Sequence, residues 1–188
     1  KLKISSYMKL IETPLKDCYI IEPAVFEDER GYFFEKYNEK KFEELTGLNG
    51  HFVQDNISKS SYGILRGVHL QKGEHAQAKL VSCLEGKVWD VAVDLRQDSP
   101  TFGQWFGVEL TPENKRQLYV PRGFGHGFSV LSETAIFSYK CDNFYDKDSE
   151  GSVIWNDEEL NIDWKLPAEV VVLSEKDQNL PKFSDKNF

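Results

Sequence analysis

The chain has 188 residues, 40% of them hydrophobic and 29% charged, with a formal net charge of -8. This fits one globular domain large enough to bury its own core. The acidic balance argues against a general nucleic-acid or anionic-membrane binder, while leaving room for a local basic pocket.

Cys18, Cys83 and Cys141 are odd in number and widely spaced, so neither a disulfide framework nor a zinc motif is expected. They read as free buried thiols of a reducing compartment, and the protein as cytoplasmic. No apolar run is long enough for a bilayer span. The opening KLKISSYMKL has a basic start but no apolar segment behind it, so no secretory signal is expected. Residues 1–7 precede the single methionine, Met8, and read as an extension, native or added.

In chain order, residues 10–25 hold two short apolar segments broken by Pro14 and Pro23, with a strand at 18–22. FEDERG at 26–31 is a polar turn, and aromatic residues 32–37 follow as a strand. Asn38 can cap a short helix running to about Leu45, with Gly47 ending it. Residues 52–57 return to extended chain, and 58–62 read as loop.

Residues 63–95 are the richest stretch. They bring Arg66, His69 and Gln71 close together, then pass through Lys79 into two apolar strands turning at Glu85 and Gly86. The β-branched content and the turn glycine predict a hairpin. Asp90 and Asp94 share one face of its second strand and read as inner-face or rim residues supporting a site. Further strands are expected at 103–110, 117–120, 127–131 and 135–140, with one helical turn at 111–115. Beyond Asn143 the chain turns polar, with Trp155 and Trp164 as anchors and a last apolar run at 170–173. Many short strands with one or two short helices indicate a single all-β domain, sandwich or barrel.

Four histidines occur: His51, His69, His75 and His126. The stretch PRGFGHGF at 121–128 matches the PxGxxH second motif of cupins, double-stranded jelly-roll barrels. Its glycines suit close backbone packing at a barrel mouth, pointing His126 inward. The first cupin motif needs HxH, but the corresponding place reads His69-Leu70-Gln71. Two imidazoles and an amide make a poor metal site, so no metal is expected. His69 is then free to act as a base, suited to removing a proton beside a carbonyl. Lys79 would stabilise the resulting enolate oxygen, and Tyr139 could return a proton from the opposite face. Taken singly, each of these residues reads more readily as structural.

The whole pattern closely resembles the dTDP-4-dehydrorhamnose 3,5-epimerases. The shared motifs are FxDERGxFFE (26–35), FVQDN (52–56), LRGVHLQ (65–71), AQAKLV (76–81), DVAVDLR (90–96), SPTFGQW (99–105), ENKRQLYVPRGFGHGF (113–128) and SEGSVIWND (149–157). The resemblance implies a cupin-like jelly roll without metal or cofactor, working as a homodimer that exchanges N-terminal strands. It implies inversion of carbons 3 and 5 of dTDP-4-keto-6-deoxy-D-glucose in dTDP-L-rhamnose synthesis. It assigns His69 as base, Asp177 as its dyad partner, Lys79 as enolate stabiliser and Tyr139 as acid. It assigns substrate binding to Arg30, Glu35, Gln54, Asn56, Arg66, His126, Glu150 and Lys176. Ala78 and Gly125 depart from the family's usual Gly and Ala without touching a functional side chain. Relatives of the fold that epimerise one carbon or shift the keto group, and a non-catalytic nucleotide-sugar binder, are the competing readings. The joint presence of base, dyad carboxylate and phenol speaks against the binder.

Overall fold

A computed structural model describes residues 7–185, so residues 1–6 of the N-terminal extension lie outside the described residues. Thirteen strands are described: β1 (Lys9–Glu12), β2 (Tyr19–Glu22), β3 (Val25–Asp28), β4 (Gly31–Phe34), β5 (Gln54–Ser61), β6 (Leu65–Gln71), β7 (Lys79–Glu85), β8 (Val88–Asp94), β9 (Trp105–Leu110), β10 (Gln117–Val120), β11 (Phe124–Val130), β12 (Thr134–Cys141) and β13 (Glu150–Ser152). They form a six-stranded sheet, β1-β2-β10-β7-β12-β5, and a five-stranded sheet, β13-β6-β11-β8-β9. β3 and β4 pair only with each other, as a separate hairpin arm. The antiparallel sheets face one another in a cupin-like jelly roll, the all-β architecture expected.

Strand alternation sorts the residues into three cores. Val81 and Cys83 of β7, Leu118 of β10 and Ala135 and Phe137 of β12 point between the sheets. They meet Val88 and Ala92 of β8 and Phe128 and Val130 of β11. The outer face of the five-stranded sheet carries Val68, Leu70, Val91 and Val93, covered by Val153, Leu160, Trp164 and Phe183. The outer face of the six-stranded sheet packs Ile21, Leu80 and Tyr119 against Phe42 of the helix α1 (Glu39–Thr46). That helix has the expected ends: the Asn38 side chain accepts from Lys41 N, and Gly47 closes it at φ 69°.

Three expectations need correction. β7 and β8 do not pair as a hairpin: β7 lies between β10 and β12, whereas β8 lies between β11 and β9. The turn at Gly86, φ 76°, is an arch carrying the chain from one sheet to the other. Both strands are buried on both faces, which an arch between covered sheets requires. Residues 58–61 are not loop but the second half of β5, paired in register with β12. Their polar character reflects an edge strand whose inward residues line a cavity instead of an apolar core. The strand expected at 32–37 is shorter, ending at Phe34. The expected turn at 111–115 is present, with Lys115 N donating to Thr111 O at 3.1 Å. The three cysteines are free and buried. No helix among the described residues is long and apolar enough to cross a membrane.

The arch is sensitive to its glycine. A Cβ on Gly86 would stand 2.0 Å from the Thr134 carbonyl oxygen, in a left-handed conformation that alanine adopts poorly. Gly86→Ala should therefore destabilise the fold by about 1–3 kcal/mol. At this chain length that lowers Tm by roughly 3–10 °C in a thermal melt. An unchanged Tm would show that the arch is not constrained there.

Candidate active site

At one end of the barrel the inward rows change from apolar to polar. On β7, Lys79 continues the row of Val81 and Cys83. On β12, Tyr139 continues the row of Ala135 and Phe137. Across the gap, His126 continues the row of Phe128 and Val130 on β11. His69 lies directly opposite His126 in the pairing of β6 with β11. The register then shifts, so that Phe128 faces Arg66, leaving one extra residue in β6. That irregularity turns Arg66 toward the same side as His69. The motif glycines allow this crowding: a Cβ on Gly125 would stand 2.5 Å from Val68 Cγ1, and one on Gly127 2.8 Å from the Arg66 carbonyl oxygen.

These side chains line a cavity of about 560 Å³, together with Asn56 of β5 and Ser174, Lys176 and Asp177 of the C-terminal segment. A second cavity of about 240 Å³ shares His69, Lys79, Tyr139 and Lys176 with it and adds Gln54, Cys141, Tyr145 and Glu150. The expected catalytic residues thus sit where two spaces meet. Such a bipartite cleft suits a ligand with a reacting group at the junction and a recognition group to one side.

His69 Nε2 lies 2.9 Å from Asp177 Oδ1. The other ring nitrogen has no partner among the described residues, so the imidazole is oriented at one nitrogen and available at the other. Asp177 is buried and held by two further contacts. Its backbone N–H donates to Ser174 Oγ at 3.1 Å, and its Oδ2 accepts from Gly67 N at 3.5 Å. Burial pushes its carboxyl up, but the hydrogen bonds from His69, Gly67 and Ser174 outweigh that and hold it below the ordinary carboxylate value. The Lys79 ammonium stands 5.8 Å from the centroid of the Tyr139 ring. Removal from water pushes Lys79 down and Tyr139 up. Arg66 donates to Ser60 Oγ at 3.2 and 3.3 Å through two nitrogens, which aims its guanidinium along the wall. Lys176 pairs with Glu150 at 2.5 Å, which holds Glu150 below its ordinary value.

The residues that would complete a cupin metal centre are committed elsewhere. Gln71 donates to the carbonyl oxygens of His75 and Phe144 at 2.6 and 3.1 Å, and its own oxygen accepts from Asp146 N. It staples a loop to the barrel. His126 is bound to Asp90 at 2.9 Å. Among the described residues, no group of three or more His, Cys, Asp or Glu is arranged to hold a metal ion.

Ten of the twelve expected site residues meet in these two cavities. Arg30 and Glu35 do not, within one chain: Arg30 pairs with Asp28 at the tip of the β3–β4 arm, and Glu35 with Lys41. Asp90 and Asp94 part company as well. Asp90 bonds His126 of the cavity wall, whereas Asp94 accepts from Arg96, Ser99 and Thr101 and ties down a loop. Tyr145 escaped the sequence reading. Its hydroxyl donates to Glu150 and its backbone N–H to Gln54, from a polar stretch with no periodicity to flag it.

The family model described as dTDP-4-dehydrorhamnose 3,5-epimerase matches residues 12–185. The enzyme of that name from Salmonella typhimurium is 56% identical over 174 residues, covering 93% of this chain and 94% of the relative. The crystal structure of the Elizabethkingia anophelis NUHP1 epimerase superposes with a TM-score of 0.94 at 78% identity, covering 97% of this chain and all of that one. A Legionella pneumophila epimerase, solved in complex with dTDP-4-keto-L-rhamnose, gives a TM-score of 0.90 at 50% identity, covering 95% and 94%. With a family model matched over most of its length and a curated relative at 56% identity, the chain is an isomerase and belongs to the dTDP-4-dehydrorhamnose 3,5-epimerase family.

Proposed function

We propose that this protein inverts carbons 3 and 5 of dTDP-4-dehydro-6-deoxy-D-glucose, giving dTDP-4-dehydro-L-rhamnose in cytoplasmic dTDP-L-rhamnose biosynthesis. The observation that carries the mechanism is the placement of His69, with Asp177 at 2.9 Å, on one sheet and of Tyr139 and Lys79 on the other, around one cavity. Both carbons adjoin the ketone, so one enolate-stabilising pocket serves both. His69 takes the proton, the C–H electron pair moves into the carbonyl, and the Lys79 ammonium stabilises the developing oxyanion. The Tyr139 hydroxyl then gives its proton to the opposite face of the carbon, and solvent restores the phenol and the free imidazole. The chemistry draws on no cofactor and no metal.

Substrate recognition falls to Gln54, Asn56, Arg66, His126, Glu150 and Lys176. Arg66 and Lys176 offer positive charge to the diphosphate inside an otherwise acidic protein. The similarity to an epimerase solved with a dTDP-4-keto sugar supports this choice of ligand. Arg30 and Glu35 belong to the same site through a homodimer that exchanges N-terminal strands, the arm of one subunit reaching the cavity of the other. The exposure of Phe26, Tyr32 and Phe33 on that arm supports this assembly, since such a patch calls for a covering surface.

Turnover of dTDP-4-dehydro-6-deoxy-D-glucose by the purified protein tests the proposal. His69→Asn should lower kcat by at least about a hundredfold. Asp177→Asn should cost less, because the imidazole remains but is poorly oriented. An Asp177 variant slower than the His69 variant would contradict the dyad.

The pH profile gives a second test. A lysine whose folded pKa is lowered loses its charge as pH rises through that lowered value. Activity should therefore fall on the alkaline side below pH 10.5, the ordinary lysine value, while Tyr139, pushed up by burial, stays protonated there. Lys79→Arg, which keeps its charge, should remove that decline even at reduced kcat. An alkaline limb unmoved by the arginine would assign it to another group.

A further inference from the structure

Asp90 is a buried carboxylate at the heart of the barrel that the proposed mechanism leaves without a task. It is 0% exposed, on β8, with its side chain between the sheets. One carboxylate oxygen, Oδ1, lies 2.9 Å from His126 Nε2. The other, Oδ2, is buried and has no donor among the described residues. A buried carboxylate with an uncommitted oxygen is costly, and its persistence calls for a compensating charge.

The compensating charge lies in the same interior. Lys79 has no carboxylate within 4.0 Å among the described residues, although it faces a cavity walled by protein. On the neighbouring strands it meets Tyr139 and Cys141 of β12, and no titratable group of β10. Across the cavity stand Arg66 and His69 of β6 and His126 of β11, with Lys176 and Asp177 from the C-terminal segment. Arg66 and Lys176 repel an ammonium, Asp177 is already bound to His69, and Glu150, which lines the adjoining cavity with Lys79 and Tyr145, is bound to Lys176. Burial pushes Lys79 toward its neutral form, and Asp90, buried on the inward row of β8 opposite the sheet that carries Lys79, is the remaining carboxylate described in this interior whose field opposes that shift.

We propose that Asp90 is a positioning residue of the site: anchored on His126 through one oxygen, its carboxylate supplies the counter-charge that keeps Lys79 an ammonium and holds the His126 ring against the cavity floor. With Nε2 directed at Asp90, the Nδ1 side of His126 is presented to the ligand in one fixed orientation. Asp90 does not touch the reacting carbons. It acts through two residues that face them.

The inference rests on the role given to Lys79, and one set of pH profiles separates the two. Asp90→Asn keeps the size and an acceptor for His126 while removing the charge. The alkaline limb of kcat/KM should move to lower pH by roughly one unit, the size expected from losing one buried charge in the same interior. Asp90→Glu, which keeps the charge but not the reach, should hold the limb at the wild-type pH even where kcat falls. In a Lys79→Arg background, Asp90→Asn should shift no limb. A wild-type profile with no alkaline limb below pH 10.5 would refute the role of Lys79. A wild-type limb that Asp90→Asn leaves in place, with or without a lower Tm, would overturn the role of Asp90 alone. If the asparagine variant does not fold, Asp90→Ser, smaller and still able to accept from His126, replaces it. Failure of both to fold would overturn the inference, since Asp90 would then be needed for the barrel and not for its chemistry.

Discussion

Two antiparallel sheets share one inward set of side chains, and that set has to serve as both core and site. Alternation leaves no freedom in this: on β7 the positions that bury Val81 and Cys83 also point Lys79 inward, and on β12 the row of Phe137 delivers Tyr139. A one-residue slip of either strand would take its inward row out of the core and its polar end out of the cavity together. Burial of the apolar half therefore fixes the polar half. Phe137 stacks 4.2 Å from Phe128 at the boundary, where β12 and β11 meet across the interior.

The same geometry separates the two groups to which the proposal assigns the proton transfers. His69 stands on the five-stranded sheet and Tyr139 on the six-stranded one, so a sugar ring between them would present opposite faces to base and acid. Inversion requires such opposition, and a single sheet could not supply it. The arch at Gly86 is one of the crossings that build this arrangement, sending β7 with Lys79 to one sheet and β8 with Asp90 to the other.

Much of this was legible in the sequence, and the parts that were not have physical reasons. The helix could be placed because Asn38 and Gly47 mark its ends chemically. The strands from β9 to β12 could be placed because apolar residues cluster between turn residues. The arch was misread because a tight glycine turn between two apolar runs looks the same whether the strands pair or part. Only their burial on both faces distinguishes the cases. β5 was half missed because Ser58 faces a cavity and Ser60 meets the Arg66 guanidinium rather than an apolar core, which erases the apolar alternation. Asp177 follows from no local pattern: a short turn far along the chain brings it to His69, and only the family resemblance pointed to it. The same resemblance named Arg30 and Glu35, whose places on the arm lie away from the cavity of their own chain.

Proton transfer on two faces is the centre of the proposed chemistry, and product NMR after reaction in heavy water tests it most directly. Wild-type protein should give product inverted at both carbons and carrying solvent deuterium at each. Tyr139→Phe keeps the ring but lacks the phenolic proton, so His69 should still exchange substrate hydrogens on the original face while doubly inverted product nearly disappears. Inversion of both carbons by Tyr139→Phe at the wild-type rate would contradict the assignment and leave Tyr139 a wall of the cavity.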